Sequence, residues 1–320
     1  MHKIKCAVIG VGYLGRFHAQ KYQLLENAEL VAICDVNTEV CEAVSRELHV
    51  PAYFDYRDLF GKVDAISIAA TTSEHYAIAR DCLEQGIHVL IEKPITETVE
   101  QAKELIAIAA THQAKLQVGH LERFNAARLA LDAHLENPLF IESHRLAPFT
   151  PRGTDVNVIL DLMIHDIDII QTIVHSPIKH IDAQGAPVLS NSIDIANARI
   201  TFENHCIANV TASRISFKTE RKTRIFQQNS YISIDYHNKQ FAVFQKGDGE
   251  MFPGIPEITR HQSVFDQGDA LLAEIQAFIQ CILQNSTPLV TGQEGCAALA
   301  TAEKITSLID SHLINKYAVS

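Results

Sequence analysis

Apolar and polar positions follow two alternating periods in the first 120 residues. Short apolar runs are typical of buried parallel strands, and the stretches between them carry an apolar residue every three or four positions, as one-sided helices do. Strands alternating with helices predict a doubly wound α/β domain of the Rossmann type. The predicted strands are residues 4–10, 29–35, 63–70, 87–93 and 114–120, and the predicted helices are 14–25, 38–49, 73–86 and 98–112.

The pattern changes beyond about residue 138. Runs of alternating apolar and polar residues predict strands between residues 140 and 244, with tight turns at Glu203-Asn204 and at 237–239. Three helical patterns cover residues 158–174, 269–284 and 295–313. We therefore predict two domains, residues 1–120 and 121–320. The second is an α+β domain with a mostly antiparallel sheet, and its carboxy-terminal helices are able to pack back on the first.

Composition narrows the function classes. The 320 residues are 47% hydrophobic with a net charge of -11, which favours a folded protein and disfavours nucleic acids and membrane surfaces as partners. No apolar run reaches the roughly 18–20 residues of a membrane helix, and the amino terminus lacks a signal peptide's apolar segment. Seven cysteines without a CxxC pair are typical of reduced thiols. We expect a cytoplasmic protein.

A glycine-rich turn follows the first predicted strand. Gly10, Gly12 and Gly15 form a GxGxxG pattern between a strand and a helix, and Asp35 ends the next strand 20 residues after Gly15. The glycines permit a tight turn, close approach of a pyrophosphate and close helix–strand packing. A carboxylate at position 35 can accept hydrogen bonds from a ribose and would repel a 2′-phosphate, which predicts NAD as the cofactor. The alternative is a structural turn that binds nothing.

A second candidate site is the turn Glu92-Lys93-Pro94 at the end of the fourth predicted strand. The carboxyl ends of such strands face the ligand crevice, and Pro94 keeps Lys93 out of helical geometry. The sequence thus places a lysine in a constrained turn beside the ligand. Taken alone, it is also compatible with an ordinary solvated charge.

The predicted helix 158–174 carries a narrow polar stripe and is apolar on most other sides, with Asp166 off the stripe. At 100° per residue, Asp161, His165, Asp168 and Thr172 lie within about 60° of one another. This pattern indicates a helix that is buried on most sides and open to a cleft along one line. Three interpretations remain: a carboxylate orienting a catalytic histidine, a core histidine satisfied by an aspartate, and a metal site.

The segments "GVGYLGRFHA", "EKP" and "DLMIHDID", in this order and spacing, resemble the Gfo/Idh/MocA oxidoreductases over essentially the whole chain. The resemblance implies a Rossmann domain followed by a substrate-binding and oligomerisation domain with a large open sheet, whose exposed face makes homodimer or homotetramer contacts. It also implies reversible hydride transfer between a sugar or polyol carbon and a nicotinamide, without a metal.

The resemblance also assigns roles by position. Lys93 matches the family's catalytic lysine, and Asp161 and His165 match its D-x-x-x-H pair, with His165 as the acid/base. The chain departs from the family pattern at Gly153, where a glycine pair is common, and at Ala126, where a proline is common. The expected NAD contacts are Gly10, Gly12, Tyr13, Leu14, Gly15, Asp35, Thr71, His75, Glu92 and Lys93, and the expected substrate contacts are Lys93, Arg123, Arg152, Asp161 and His165.

The segment "HRLAPFTPRGTDVNVILDLMIHDID" is most similar to the branch that oxidises the 3-hydroxyl of UDP-N-acetylglucosamine on the way to a 3-amino sugar for lipid A. The alternatives are an inositol, polyol or other sugar dehydrogenase, an enzyme that cleaves glycosidic bonds through transient oxidation by NAD, and a non-catalytic NAD-binding regulator. A diphosphate could meet basic side chains, although those between residues 214 and 224 are also compatible with a solvated strand surface. These candidates are Arg145, Arg152, Arg214, Lys218, Arg221, Lys222 and Arg224.

Overall fold

The computed structural model describes residues 3–150, 156–265 and 268–317, with side chains described up to residue 314. The chain forms two compact units. The first combines Met1–Leu121 with Asp269–Leu299, and the second combines Glu122–Gly268 with Ala300–Ser320. Arg152, expected to bind substrate, and Gly153, a departure from the family pattern, lie outside the described residues, so the role of Arg152 remains a prediction.

The first unit is built on a parallel six-stranded sheet with the order β3-β2-β1-β4-β5-β6, which is the strand order of a Rossmann fold. The predicted fold class is therefore confirmed. The short strand β3 was not anticipated, because two residues are too few to show a period. The strands are β1 (Ile4–Ile9), β2 (Ala28–Cys34), β3 (Ala52–Tyr53), β4 (Ala65–Ile68), β5 (His88–Glu92) and β6 (Leu116–Gly119).

Four helices connect these strands: α1 (Tyr13–Tyr22), α2 (Thr38–Leu48), α3 (Thr72–Glu84) and α4 (Val99–Thr111). A later helix, Ala270–Gln284, belongs to the same unit. Its Ile275, Phe278 and Ile279 are buried in one apolar cluster with Val8 and Tyr22. Burying such side chains contributes about 1.5–3 kcal/mol each, so this distant segment is part of the nucleotide-domain core.

The second unit contains an eight-stranded sheet with the order β14-β13-β12-β11-β7-β10-β9-β8. All neighbouring pairs are antiparallel except β7 and β10. The mostly antiparallel sheet is confirmed, although β14 was not anticipated. The strands are β7 (Phe140–Leu146), β8 (Ile178–Ala186), β9 (Ile195–Phe202), β10 (Ile207–Ser213), β11 (Glu220–Phe226), β12 (Ser230–Asp235), β13 (Gln240–Phe252) and β14 (Ile255–Val264).

The remaining helices are α5 (Ala126–Leu129), α6 (Ile164–Val174), α7 (Ala270–Gln284) and α8 (Gly292–Tyr317). The predicted helix 158–174 has two parts, since a π-helical segment, Ile159–Met163, precedes α6. Asn157 caps this start by accepting hydrogen bonds from the backbone N–H groups of Ile159 and Leu160. Within the described ranges, no helix combines the length and apolarity needed to cross a membrane.

Candidate active site

The glycine-rich loop between β1 and α1 has the geometry of a phosphate-binding turn. Gly10 has a φ of +81°, and a Cβ there would lie 2.6 Å from the backbone nitrogen of Ala70. A Cβ on Gly15 would lie 1.7 Å from the carbonyl oxygen of Gly10. A Cβ on Gly12 would meet no atom within 4 Å. Gly10 and Gly15 are therefore required by the fold, whereas Gly12 keeps the surface above the loop open.

The start of α1 suits an anion. Gly12 is its N-cap, no side chain caps it, and the first turn carries no acidic residue. Backbone N–H groups at a helix start carry partial positive charge and bind phosphates. Tyr13 and Leu14 follow as exposed side chains. The residues present fit the pyrophosphate of a dinucleotide.

Asp35 lies just beyond the end of β2, half-buried beside the glycine-rich loop. Its Oδ2 accepts a hydrogen bond of 2.8 Å from the backbone N–H of Val11, and its Oδ1 accepts one of 2.8 Å from that of Asn37. The carboxylate is thereby fixed between the two loops that follow β1 and β2. Each carboxylate oxygen can accept a further bond, so the group remains able to bind a ribose hydroxyl.

Two further expected cofactor residues lie at the start of α3. Thr71 is its exposed N-cap. His75 is 1% exposed, with Nδ1 2.9 Å from the carbonyl oxygen of Pro94 and Nε2 3.1 Å from that of Ala70. Burial lowers the pKa of His75, partly offset by these carbonyl contacts. Both ring nitrogens are thus engaged in tying the loop after β4 to the turn after β5, which makes positioning the evident role of this ring.

The Glu92-Lys93-Pro94 turn lies at the carboxyl end of β5, and the Lys93–Pro94 peptide bond is cis. The Glu92 carboxylate accepts a 3.3 Å bond from the backbone N–H of Lys93 and lies 3.0 Å from Nε2 of His18. Burial alone would raise the pKa of Glu92, but His18 and the Lys93 charge bring it below its ordinary value. The turn therefore carries an ionised glutamate next to Lys93.

In the second unit, the upper part of the polar stripe spans the junction of two helix types. Asp161 lies in the π-helical segment and His165 in the first turn of α6, and both are half-buried. A π-helical turn contains more residues than an α-helical one, and such segments are frequent at functional sites. The hydrophobic period could not reveal this change. The side chains of Asp161 and His165 are thus partly accessible.

The lower part of the stripe is not open. Asp168 is 2% exposed and forms a two-point ion pair with Arg123, with Nε–Oδ2 at 2.7 Å and Nη2–Oδ1 at 3.1 Å. The Thr172 hydroxyl donates to the backbone carbonyls of Asp168 and Ile169. The expectation that the whole stripe faces a cleft is therefore wrong for Asp168, whereas Thr172 is half-buried. Arg123, expected to bind substrate, has its charge paired within this unit.

A second buried ion pair holds α6 from another side. Asp166 accepts hydrogen bonds from Arg145 Nε at 2.7 Å and from the Ser143 hydroxyl at 2.8 Å, and Arg145 also donates to Glu122 at 3.0 Å. Burial lowers the pKa of Arg145, but the two carboxylates raise it above its ordinary value. The helix is thus not apolar outside the stripe. Arg145, a diphosphate candidate, has this structural role.

The basic run between residues 214 and 224 is largely occupied by other contacts. Arg214 is 5% exposed, and its guanidinium binds Asp194 at 2.8 Å and the carbonyl of Val156 at 2.7 Å. Lys218 pairs with Glu220 on the surface, and Arg224 pairs with Glu142 at 3.4 Å. The interpretation as a solvated strand surface fits Lys218 and Arg224, while Arg214 is a core residue.

Sequence reasoning missed two residues beside the Glu92 turn. His18, on α1, and Glu274, on α7, are 1% and 0% exposed. His18 follows Gly15 by three positions on a helix face toward the sheet, and Glu274 interrupts the apolar pattern "ALLAEIQAFIQ". A charged residue at a core position is the signal that would have found Glu274.

Profiles of known families match both parts of the chain. Residues 4–120 match the oxidoreductase family with an NAD-binding Rossmann fold, designated GFO/IDH/MocA. Residues 130–232 match the GFO/IDH/MocA C-terminal domain. The two matches cover the glycine-rich loop, the Glu92-Lys93-Pro94 turn and the polar stripe.

Individual relatives cover nearly the full length. A UDP-N-acetylglucosamine 3-dehydrogenase of Acidithiobacillus ferrooxidans is 36% identical over 314 residues, which are 98% of this chain and 99% of that protein. A scyllo-inositol 2-dehydrogenase (NAD(+)) of Bacillus subtilis is 27% identical over 316 residues, with 91% and 89% covered.

Among solved structures, the UDP-N-acetylglucosamine 3-dehydrogenase is again more similar to this chain than an inositol dehydrogenase is. The UDP-N-acetylglucosamine 3-dehydrogenase of A. ferrooxidans superposes with a TM-score of 0.91 at 36% identity, covering 97% of this chain and 99% of that one. A scyllo-inositol dehydrogenase of Lactobacillus casei, solved with NAD(H) and scyllo-inositol, superposes with a TM-score of 0.80 at 23% identity, covering 97% and 98%. At 23% identity, the second comparison shows a shared fold.

Proposed function

Because this chain belongs to the Gfo/Idh/MocA family of oxidoreductases, with an NAD-binding Rossmann fold, we propose that it oxidises the 3-hydroxyl of UDP-N-acetylglucosamine. The observation that supports this substrate is the 36% identity, over 98% of the chain, to a UDP-N-acetylglucosamine 3-dehydrogenase. A relative named for an inositol is 27% identical, so a cyclic polyol is the second candidate.

The reaction removes a hydride from C3 and a proton from the oxygen on C3. Bound NAD supplies the hydride acceptor. His165 accepts the proton, since an imidazole titrates near neutral pH and general bases work best there. Asp161, four residues earlier, orients the ring and favours its protonated form. Lys93 stabilises the negative charge that develops on the oxygen as its proton leaves.

Cofactor binding follows from the residues of the first unit. The open surface at Gly12 and the start of α1 hold the pyrophosphate, and the fixed carboxylate of Asp35 accepts from a ribose hydroxyl. A 2′-phosphate at that position would meet the same negative charge, which favours NAD over NADP. A regulator would need these groups but would not need Lys93 or His165, so their presence favours an enzyme.

The proposed assembly is a homodimer or homotetramer through the outer face of the second sheet. Four half-exposed aromatic rings stack across neighbouring strands, with centroid distances of 5.7, 5.0 and 5.5 Å, and the guanidinium of Arg260 lies 5.3 Å from the last ring. Contiguous apolar surface of this kind marks interfaces. The members of this aromatic ladder are Phe140, Phe226, Tyr231 and Phe244.

The proposed location is the cytoplasm, where thiols stay reduced and NAD is available. The supporting observation is that six buried cysteines carry free thiols, and burial raises the pKa of Cys34 to about 12. Such thiols are unreactive. The 3-keto product would then enter synthesis of a 3-amino sugar for lipid A. The proposed partners are small molecules and not nucleic acids. The six are Cys6, Cys34, Cys41, Cys82, Cys206 and Cys281.

A substrate comparison tests the proposal. Purified protein with NAD should form NADH, measured by absorbance, with UDP-N-acetylglucosamine. Free N-acetylglucosamine should react poorly, because contacts to the nucleotide help position the reacting carbon. Turnover of myo- or scyllo-inositol with no response to the sugar nucleotide would replace the proposal by the second candidate. NAD binding without turnover of any of these substrates would favour a regulator.

A further inference from the structure

Three polar side chains meet in the interior of the first unit. His18 lies on α1, Glu92 ends β5 and Glu274 lies in the middle of α7. His18 and Glu274 are 1% and 0% exposed. One nitrogen or oxygen atom from each residue lies within 4.8 Å of the corresponding atoms of the other two. Three titratable groups thus share one buried space.

The carboxylates of Glu92 and Glu274 differ in their hydrogen-bond partners. The Glu92 carboxylate contacts His18 Nε2 at 3.0 Å and the backbone N–H of Lys93 at 3.3 Å. Among the residues that the structure describes, neither carboxylate oxygen of Glu274 has a hydrogen-bond partner. An ionised carboxylate in that position would cost several kcal/mol. Glu274 therefore needs either a cation or a proton.

The surroundings favour a proton. Nε2 of His18 is at hydrogen-bond distance from Glu92, so this nitrogen is already engaged with a carboxylate. The positive charge of Lys93 already acts on Glu92, so the charge of this carboxylate is balanced without a metal ion. Burial, and then the negative charge of Glu92, raise the pKa of Glu274 well above its ordinary value.

The phenol of Tyr22 is a further titratable group beside this space, and the charge of Glu274 acts on it. Its oxygen lies 2.8 Å from the Ser67 hydroxyl, and burial raises its pKa far above neutrality. Tyr22 thus stays uncharged and has its own partner. The charge balance of the cluster depends on Glu92, Glu274, His18 and Lys93.

We propose that Glu274 is a positioning residue that carries a proton and, as a neutral acid filling the buried space beside Glu92, lets that carboxylate stay in place beside Lys93. The inference rests on the proposed function, in which Lys93 acts on the reacting hydroxyl. A second negative charge next to Glu92 would repel that carboxylate and disturb the Lys93 turn. A neutral group of the same size leaves the turn undisturbed.

Glu274→Gln is the decisive variant, because an amide has the shape and the neutrality of the protonated acid. It should keep kcat close to that of the wild type. Glu274→Ala is also neutral, but it leaves a cavity beside Glu92. It should lose kcat by roughly 10- to 100-fold as the Lys93 turn shifts toward that cavity, with NAD affinity unchanged. Glu84→Gln, an exposed glutamate of the same unit, serves as the matched control.

The proton itself is tested by melting temperature against pH. In the unfolded chain Glu274 ionises near pH 4.3. Its folded pKa is higher, so its proton stabilises the fold below pH 4.3, and this contribution is lost as the pH rises toward the folded value. The melting temperature of Glu274→Gln minus that of the wild type should increase from pH 5 to pH 8. The same difference for Glu84→Gln should stay flat.

Three results would overturn the inference: a pH-independent difference for Glu274→Gln, a loss of kcat in Glu274→Gln equal to that in Glu274→Ala, or a stoichiometric divalent metal in the wild-type protein by elemental analysis. The melting series needs no turnover. If Lys93→Ala keeps full activity, the proposed role of Lys93 fails, while the protonation of Glu274 is still decided by the melting series.

Discussion

The Oδ2 atom of Asp35 accepts a hydrogen bond of 2.8 Å from the backbone N–H of Val11, inside the glycine-rich loop. Asp35 is thus expected to select the cofactor by its charge, and it also holds the glycine-rich loop by a hydrogen bond. A variant that removes only the charge and a variant that removes the whole side chain should therefore have different effects, which separates the two roles.

Asp35→Asn should narrow the preference for NAD over NADP, because it removes the negative charge and keeps an acceptor for Val11. Asp35→Ala should narrow the preference too, but NAD affinity should fall further since the loop loses its support. Fluorescence titrations with both cofactors measure the four dissociation constants. A wild-type protein that binds NADP more tightly would contradict the assignment.

Gly12 and Gly15 should respond in opposite ways to an added methyl group. Gly15→Ala places a Cβ 1.7 Å from a carbonyl oxygen and should destabilise the fold by about 3 kcal/mol or more, seen as a lower melting temperature. Gly12→Ala has room and should fold normally. It should weaken NAD binding by roughly tenfold, or about 1.4 kcal/mol, since the methyl group occupies the space for the pyrophosphate. Normal NAD affinity in Gly12→Ala would argue against this binding mode.

These glycines show what the sequence predicted well. A GxGxxG pattern between an apolar strand and a helix is a local signal, and the alternation of strands and helices, the glycine-rich turn and the position of Asp35 all followed from local patterns. His18 and Glu274 are 256 positions apart in the sequence, and only the folded core brings them together. Long-range contacts of this kind have no local period.

The polar stripe shows a second limit. The 100° period grouped Asp161, His165 and Asp168 correctly on one helix, but it assumed uniform α-helical geometry, and residues 159–163 are π-helical. The period also could not show that Arg123 pairs with Asp168, because that partner comes from a separate segment. The period placed these polar residues on one side of the helix, but it could not show which of them are accessible and which are buried.

His165→Ala and Lys93→Ala should each reduce kcat by roughly 100-fold or more, the usual scale for a general base or an electrostatic group. Both variants should fold and bind NAD. His180→Ala, which removes an exposed histidine of the second unit, should have normal activity. Steady-state rates and NAD titrations give the comparison. Near-normal turnover of His165→Ala would make this histidine a structural residue.

The aromatic ladder should control assembly. Tyr231→Glu places a charge between Phe226 and Phe244, where each ring centroid lies 5.0 to 5.5 Å from that of Tyr231, and should convert the oligomer to monomers. Phe217→Glu changes an exposed aromatic residue outside the ladder and should leave the oligomer intact. Light scattering at micromolar concentration measures the mass. A monomeric wild-type protein would refute the proposed assembly.

The most direct test of oxidation at C3 follows the hydrogen atom on that carbon. UDP-N-acetylglucosamine with deuterium at C3 is incubated with the protein and NAD, and the reduced cofactor is analysed by mass spectrometry. We expect every NADH formed to carry the deuterium and a 3-keto sugar nucleotide to accumulate in equal amount. NADH without deuterium, or deuterium transfer only from a substrate labelled at another carbon, would contradict oxidation at C3.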